Sequence, residues 1–174
     1  DFSHDMVQQV YNSDLANGVG NLLSRTVKMI SKYFDGAIPT PSAEVEDARW
    51  VQAAAEALCD GAVGWMNACA FGKYLEAVNS LVGATNKFID DTEPFKLAKD
   101  KTQRDRLTTV LYTCAEAVRI VLQYLAPIMP DKTAQGLARL GLSTSENLNR
   151  AGQWGLLAPN TKVEPGDPLF PRVS

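Results

Sequence analysis

Residues 12–34, NSDLANGVGNLLSRTVKMISKYF, constrain the fold more than any other stretch. At about 100° per residue, Leu15, Val19, Leu22, Leu23, Thr26 and Ile30 gather on one side of a helix, while Asn21, Arg25, Lys28 and Lys32 fall within about 60° of one another on the other. Asn17 and Ser24 flank that polar strip. A helix with so defined an apolar side needs a partner surface, so it belongs to a packed helical assembly. The polar edge supports two readings: a solvated face, or a row of amide, guanidinium and ammonium donors presented to RNA.

The rest of the chain supplies the partners. Asp1-Phe2-Ser3 leads into a short helix from residue 4 to about residue 10 with Ser3 as N-cap, and Asn12-Ser13-Asp14 is a second cap signal that predicts a break before the long helix. Gly18 and Gly20 inside that helix cost roughly 1 kcal/mol each against Ala, which points to a closely packed neighbour. Asp35-Gly36 stops the helix, and Ile38-Pro39-Thr40-Pro41 forms a rigid connector. Ser42 is expected to cap a second long helix reaching about residue 67. Glu44, Glu46 and Asp47 stand in its first turns, where the helix dipole favours acids. Trp50, Ala54, Ala57, Leu58 and Trp65 are its apolar material, with Gly61 and Gly64 loosening it locally. A third helix over about residues 71–89 carries Tyr74, Leu75, Val78, Leu81 and Val82 at helical spacing, and residues 90–95 read as a non-helical corner. A fourth, over about residues 102–126, has Leu107, Val110, Leu111, Cys114, Val118, Val121, Leu122 and Leu125 as its buried stripe. A fifth, over residues 131–140, ends at Gly141. From Asn147 onward, with four of the nine prolines at Pro159 or later, the chain reads as an extended tail ending in Pro168-Leu169-Phe170-Pro171-Arg172. No strand alternation and no internal repeat stand out. The expected fold is all-α: one domain over residues 1–174, a bundle of four to five main helices, with about residues 147–174 as a strap packed back on it.

Composition narrows the chemistry. A net charge of −3 over 174 residues excludes binding of nucleic acid through a global positive field, so any RNA contact must be local, and DNA is not an expected partner. Cys59, Cys69 and Cys114 fit no CxxC spacing, and with the single His4 they make no four-ligand zinc site. They read as reduced, partly buried thiols of a cytoplasmic protein. No signal peptide and no run of 18 apolar residues occurs, and residues 110–129 are interrupted by Glu116, Arg119 and Gln123. No membrane partner is expected. The start at Asp1 without methionine suggests a piece of something longer.

There is no nucleophilic triad, no phosphate-cradling GxxxxGK[ST] loop and no dinucleotide fingerprint. Adjacent Asp90 and Asp91 face different ways and are expected to cap the helix exit. Two basic features remain: the Asn21/Arg25/Lys28/Lys32 strip, and the corner where Phe95 follows Pro94 and precedes Lys96, Lys99, Lys101, Arg104 and Arg106. Phe95 is either a buried anchor beneath the loop or a platform for single-stranded RNA, where each stacked base contributes about 1–3 kcal/mol.

Four blocks carry a family resemblance. Residues 11–36, YNSDLANGVGNLLSRTVKMISKYFDG, resemble the helix that opens the anticodon-binding domain of methionyl-tRNA synthetases. So do ATNKFIDDTEPFKLAKD (84–100), YLAPIMP (124–130) and PLFPR (168–172), in family order and over nearly all of the chain. The resemblance implies a helical bundle that reads the CAU anticodon of methionine tRNA. An Asn and an Arg four residues apart, here Asn21 and Arg25, would contact anticodon bases. Pro94 would set the loop, and Phe95 would stack where the family pattern has Trp. Asn17, Lys28, Lys32 and Lys96 would support the RNA. The family's Rossmann catalytic domain and its HIGH and KMSKS motifs are absent from this sequence. Lys28-Met29-Ile30-Ser31-Lys32 echoes KMSKS only with an inserted Ile inside a helix. The resemblance therefore implies no catalytic residue, cofactor or metal in this stretch, ATP and Mg2+ acting in the parent's catalytic domain in cis, and tRNA(Met) as partner. Two alternatives stay open: the equivalent bundle of a leucine, isoleucine, valine or cysteine enzyme, against which PLFPR stands, and a helical interaction bundle without RNA, which should show an exposed apolar patch.

Overall fold

The computed structural model describes residues 3–145 and 147–173 as helices α1 (His4–Val10), α2 (Asn21–Phe34), α3 (Ala48–Asn67), α4 (Phe71–Thr92), α5 (Pro94–Leu97), α6 (Arg104–Leu125), α7 (Pro130–Arg139) and α8 (Leu148–Ala151). A π-helical segment, Tyr11–Gly20, joins α1 to α2, and one 3-10 turn, Lys101–Gln103, leads into α6. There is no β-strand among the described residues. The protein is all-α, as its periodicity demands. Asp1, Phe2 and Ser174 lie outside the described residues.

The axis of the bundle is α6. Residues 109–126 are buried on every side, and α2, α3, α4, α5, α7 and α8 all pack against it. A helix enclosed all round carries apolar residues all round, which is why the stripe from Leu107 to Leu125 broadens to take in Ala115, Ala117 and Ile120. Its three polar interruptions are buried too. Glu116 and Arg119 pair at 2.7 Å, and Gln123 bonds Ser143 and Ser145 across to the following loop.

The break expected at residues 12–14 does not form. The helix runs unbroken from α1 through the wide turns of Tyr11–Gly20 into α2, with the Asn21 N–H donating five residues back to the Ala16 carbonyl. The would-be caps have other partners. Asn12 donates to the Val173 carbonyl at 2.9 Å and accepts its N–H at 3.0 Å, and the Ser13 hydroxyl donates back to the Val10 carbonyl. Gly20 is buried under Phe170, whose ring would lie 3.4 Å from any added Cβ. Close packing is thus the reason for that glycine. Ser3 does cap α1, accepting the Met6 N–H at 3.1 Å. Asp35 (φ 50°) and Gly36 (φ 75°) end α2 in left-handed conformations.

The second helix starts later than its cap signal suggests. Ser42 stands six residues before α3 and bonds instead to α6: its N–H reaches Thr109 Oγ1 at 3.2 Å and its hydroxyl shares 2.8 Å with Thr108. Trp50 is not core material but 75% exposed, and Ala57 is exposed too. The buried stripe of α3 is Val51, Ala55, Leu58 and Ala62, so the face is set by small residues against α4. Gly61 does not loosen α3, because the indole of Trp65 lies over it where a Cβ would stand. The corner at residues 90–95 is tighter than expected: α4 continues to Thr92, Glu93 turns left-handed (φ 45°), and Pro94 begins the single turn α5. Leu75 is 38% exposed, whereas Tyr74, Val78, Leu81 and Val82 are buried.

After α7 the chain makes the short α8 within the stretch expected to be extended, then runs without regular structure from Gly152. Leu157, Val163, Leu169 and Phe170 are buried along this path. Backbone bonds tie Ile38 to Thr161 and Asn160, and Val163 to Gly36. Glu116 accepts N–H bonds from Gly155, Leu156 and Leu157, and Arg119 donates to the carbonyls of Ala151 and Gln153. A buried charge pair in a core helix therefore tethers the tail.

Candidate nucleic-acid interface

The polar edge of the opening helix divides into two clusters. In the first, Asn17, Asn21, Ser24 and Lys28 form one wall of a groove of about 600 Å³, and Pro168, Phe170, Pro171 and Arg172 form the other. The Arg172 guanidinium donates to the Asn17 Oδ1 from Nε at 3.1 Å and Nη2 at 2.8 Å, closing one end. Asn21 and Lys28 are exposed within it. Buried Phe170 under Gly20 holds this wall in place, and its ring meets Tyr11 edge-on at 6.4 Å.

The second cluster lies round the helix. One turn beyond Asn21, Arg25 leaves the groove and pairs with Asp90 at 2.9 Å, joining α2 to the last turn of α4. Its side chain is 34% exposed and that of Asp90 is 67% exposed. An ion pair so open to water contributes about 0–1 kcal/mol, so a ligand can recruit this guanidinium at small cost. Asp91, which was expected to cap the helix with Asp90, instead holds Lys87 at 2.7 Å.

Just past α4, Pro94 is buried and Phe95 is 46% exposed. The left-handed Glu93 and the proline fix the turn, so the aromatic that follows points outward and is no buried anchor. Lys96 is tied to Glu93 at 2.7 Å. Arg104 stacks over the Phe34 ring at 3.9 Å, fastening the end of α2 to the start of α6, and Lys32 is exposed with its ammonium 5.5 Å from the Tyr33 ring. Lys99, Lys101 and Arg106 are exposed.

The structure thus gathers Asn17, Asn21 and Lys28 in one groove. It places Arg25 beside α4 and Phe95 on the turn after it. Arg172 and Asp90, which sequence reasoning did not single out as site residues, complete the two clusters. The signal for Arg172 was its position behind Phe170-Pro171, where the buried ring leaves the next long side chain at the surface. The ionisations that the fold displaces most belong to the core: burial raises the Tyr124 hydroxyl strongly, and it pushes the Tyr74 hydroxyl and the Cys114 thiol each up to about 12. At the surface, the Thr102 hydroxyl and amide hold the Asp100 carboxyl below its usual range. These surfaces carry hydrogen-bond donors, cations and one outward aromatic, Phe95.

No family model matches the chain. A methionine–tRNA ligase of Caldanaerobacter subterraneus subsp. tengcongensis is 40% identical over 172 residues, covering 99% of this chain and 27% of the relative. The chain is homologous to one segment of the methionine–tRNA ligases. A ligase of Deinococcus radiodurans is 37% identical over 98% of the chain and 25% of its own length. The methionyl-tRNA synthetase of Mycobacterium tuberculosis, solved in its free state, superimposes with a TM-score of 0.91 at 31% identity over 99% of this chain and 35% of its own. The chain therefore spans about a quarter of the length of the curated ligases it matches. It corresponds to their C-terminal helical part, and the shared segment contains both clusters, from Asn17 to Arg172.

Proposed function

We propose that this segment reads the CAU anticodon of methionine tRNA on behalf of a methionine–tRNA ligase whose catalytic part joins methionine to the tRNA with ATP and Mg2+. Asn21 and Arg25 hydrogen-bond anticodon base edges, Phe95 stacks an unstacked base on the turn that Pro94 holds, and Asn17, Lys28, Lys32 and Lys96 support the neighbouring backbone. The segment itself performs no chemistry. The observation that carries the reading is a partly exposed Arg25 paired with Asp90 in the last turn of α4 and an exposed Phe95 on the turn that follows α4, in a chain related over 99% of its length to these ligases. A guanidinium beside an open aromatic is the pairing that grips a single-stranded base. Relatives that are methionine enzymes favour it over the leucine, isoleucine, valine or cysteine enzymes.

The test is Arg25→Ala in the full-length ligase. A good base contact contributes about 1–3 kcal/mol, so kcat/KM for tRNA methionylation should fall roughly 5- to 150-fold. Formation of methionyl-adenylate, which needs no anticodon, should stay nearly unchanged. Equal loss in both reactions would overturn the role given to Arg25.

A further inference from the structure

Trp50 is the most exposed large apolar side chain among the described residues, at 75%. It stands in the first turn of α3, whereas the buried face of that helix is Val51, Ala55, Leu58 and Ala62. The indole therefore contributes little to the core. It borders instead a groove of about 430 Å³ lined otherwise by Asp47, Ala84, Lys87, Phe88 and Asp91. That volume lies within the range of small-ligand sites. Buried Phe88 and half-buried Ala84 give the groove apolar surface beside the indole.

This groove adjoins the cluster of Arg25 and Phe95. Asp90 and Asp91 stand about 100° apart round α4 with Lys87 between them, and all three are exposed. Arg25 holds the Asp90 edge of that arc, Trp50 lies at the Asp91 edge, and Phe95 follows on the turn beyond the helix. A helix is about 10–12 Å across, so a guanidinium and two aromatics frame one surface on the scale of a few nucleotides. Its acids are matched by cations: Asp90 by Arg25 at 2.9 Å, Asp91 by Lys87 at 2.7 Å and Glu93 by Lys96 at 2.7 Å. These pairs are open to water and cost little to break, so a phosphate can draw Lys87 from Asp91. Asp47 adds a carboxylate that caps no amide of its helix, and the indole beside it suits a base, which is uncharged.

We propose that Trp50 is a second stacking platform for the tRNA: it holds an unstacked nucleotide of the anticodon loop against the indole, while Lys87 turns to that nucleotide's phosphate. Continuity with the Arg25 and Phe95 surface selects RNA as the occupant, and the inference rests on the anticodon reading of that surface. Every base has a face to stack, so the platform adds affinity rather than base choice.

The full-length ligase and methionine tRNA provide the test. Trp50→Ala should weaken tRNA binding, read as Kd by filter binding, about 5- to 150-fold, the loss of one stacked base. Trp50→Phe keeps a ring and should recover most of that loss. An unchanged Kd in Trp50→Ala would overturn the proposal and leave the groove to a protein partner. Equal losses in the two variants would overturn stacking as its basis. Thermal unfolding midpoints should move by no more than about 2 °C, as for a surface substitution, and a larger drop in Trp50→Ala would give the indole a structural role instead. In the unsubstituted ligase, saturating tRNA should slow hydroxyl-radical oxidation of Trp50 several-fold by peptide mass, and equal rates with and without tRNA would count against contact. Lys87→Ala should flatten the slope of log Kd against log salt by about 0.7, the share of one single-strand phosphate, and an unchanged slope would overturn the phosphate contact. Arg25→Ala separates the two readings. Loss there without loss in Trp50→Ala removes only the platform, whereas loss in neither removes the anticodon reading as well.

Discussion

Glu116→Ala tests whether a buried charge pair fastens the tail that walls the groove beside Asn21. Glu116 is 0% and Arg119 4% exposed. The carboxylate accepts from Arg119 Nε at 2.9 Å and Nη2 at 2.7 Å, and from the N–H groups of Gly155, Leu156 and Leu157 at 2.7, 3.0 and 3.1 Å. Removing it leaves a guanidinium in the core with no counter-charge, at a cost of about 3–5 kcal/mol. The three amides lose their acceptor as well. Gly155 and Leu156 are exposed and can turn to water, so their share is small and about 4 kcal/mol is a fair total. For a chain of this size each kcal/mol shifts Tm by about 2–4 °C, which predicts a drop of roughly 8–16 °C. Thermal unfolding followed by circular dichroism measures the drop, and hydrogen exchange at residues 155–157 should lose its protection. A loss under about 1 kcal/mol, or tail amides still protected in the variant, would refute the tether. The exposed Arg25–Asp90 pair is the control: Asp90→Ala should cost less than about 1 kcal/mol.

Phe95→Ala should lower kcat/KM for tRNA methionylation in the full-length ligase about 5- to 150-fold, the equivalent of one lost stacking contact of about 1–3 kcal/mol, while Phe95→Trp retains activity; indifference to both changes would remove Phe95 from the interface. Gly152→Ala should destabilise the chain by about 1–3 kcal/mol, because a methyl there runs into the Tyr124 hydroxyl and Cys59; an unshifted urea midpoint would show that the pocket yields. Stability should also fall as pH rises above about 9. The unfolded chain loses the Cys114 and Tyr74 protons near 9 and 10, whereas the folded chain holds both to about 12, so the unfolded state binds fewer protons over that window. Urea midpoints that stay flat from pH 8 to 11 would contradict this. Below pH 8, exposed Cys69 should alkylate readily and buried Cys114 only on unfolding, as peptide mass would record.

Much of this molecule was legible in one dimension. The repeat of apolar residues at three- and four-residue intervals determines that it is helical and roughly where the long helices lie, but not the short α5 and α8. It also assigns most of the buried faces, because burial of a continuous stripe requires that spacing whatever the partner. The edge bearing Asn21, Arg25 and Lys28 could be read in the same way. What periodicity cannot supply is the partner of a polar group. Ser42 and Asn12 carry good cap chemistry, yet their bonds go to residues 66 and 161 positions away, so helices expected to start at them begin elsewhere or run straight through. Trp50 is apolar at a helical position but faces water, since the side on which α4 lies is known only once the two helices are packed. Glu116 and Arg119 look like interruptions of a core helix until the tail arrives with three N–H groups and two carbonyls. The sequence of residues 12–34 determined by itself an amphipathic helix with a donor-rich edge. Only the tertiary structure decided that Asn21 opens onto a groove walled by Arg172 while Arg25, one turn away, leans on Asp90. Local spacing sets the direction of each side chain, but the long-range contacts that receive it exist only in the folded chain.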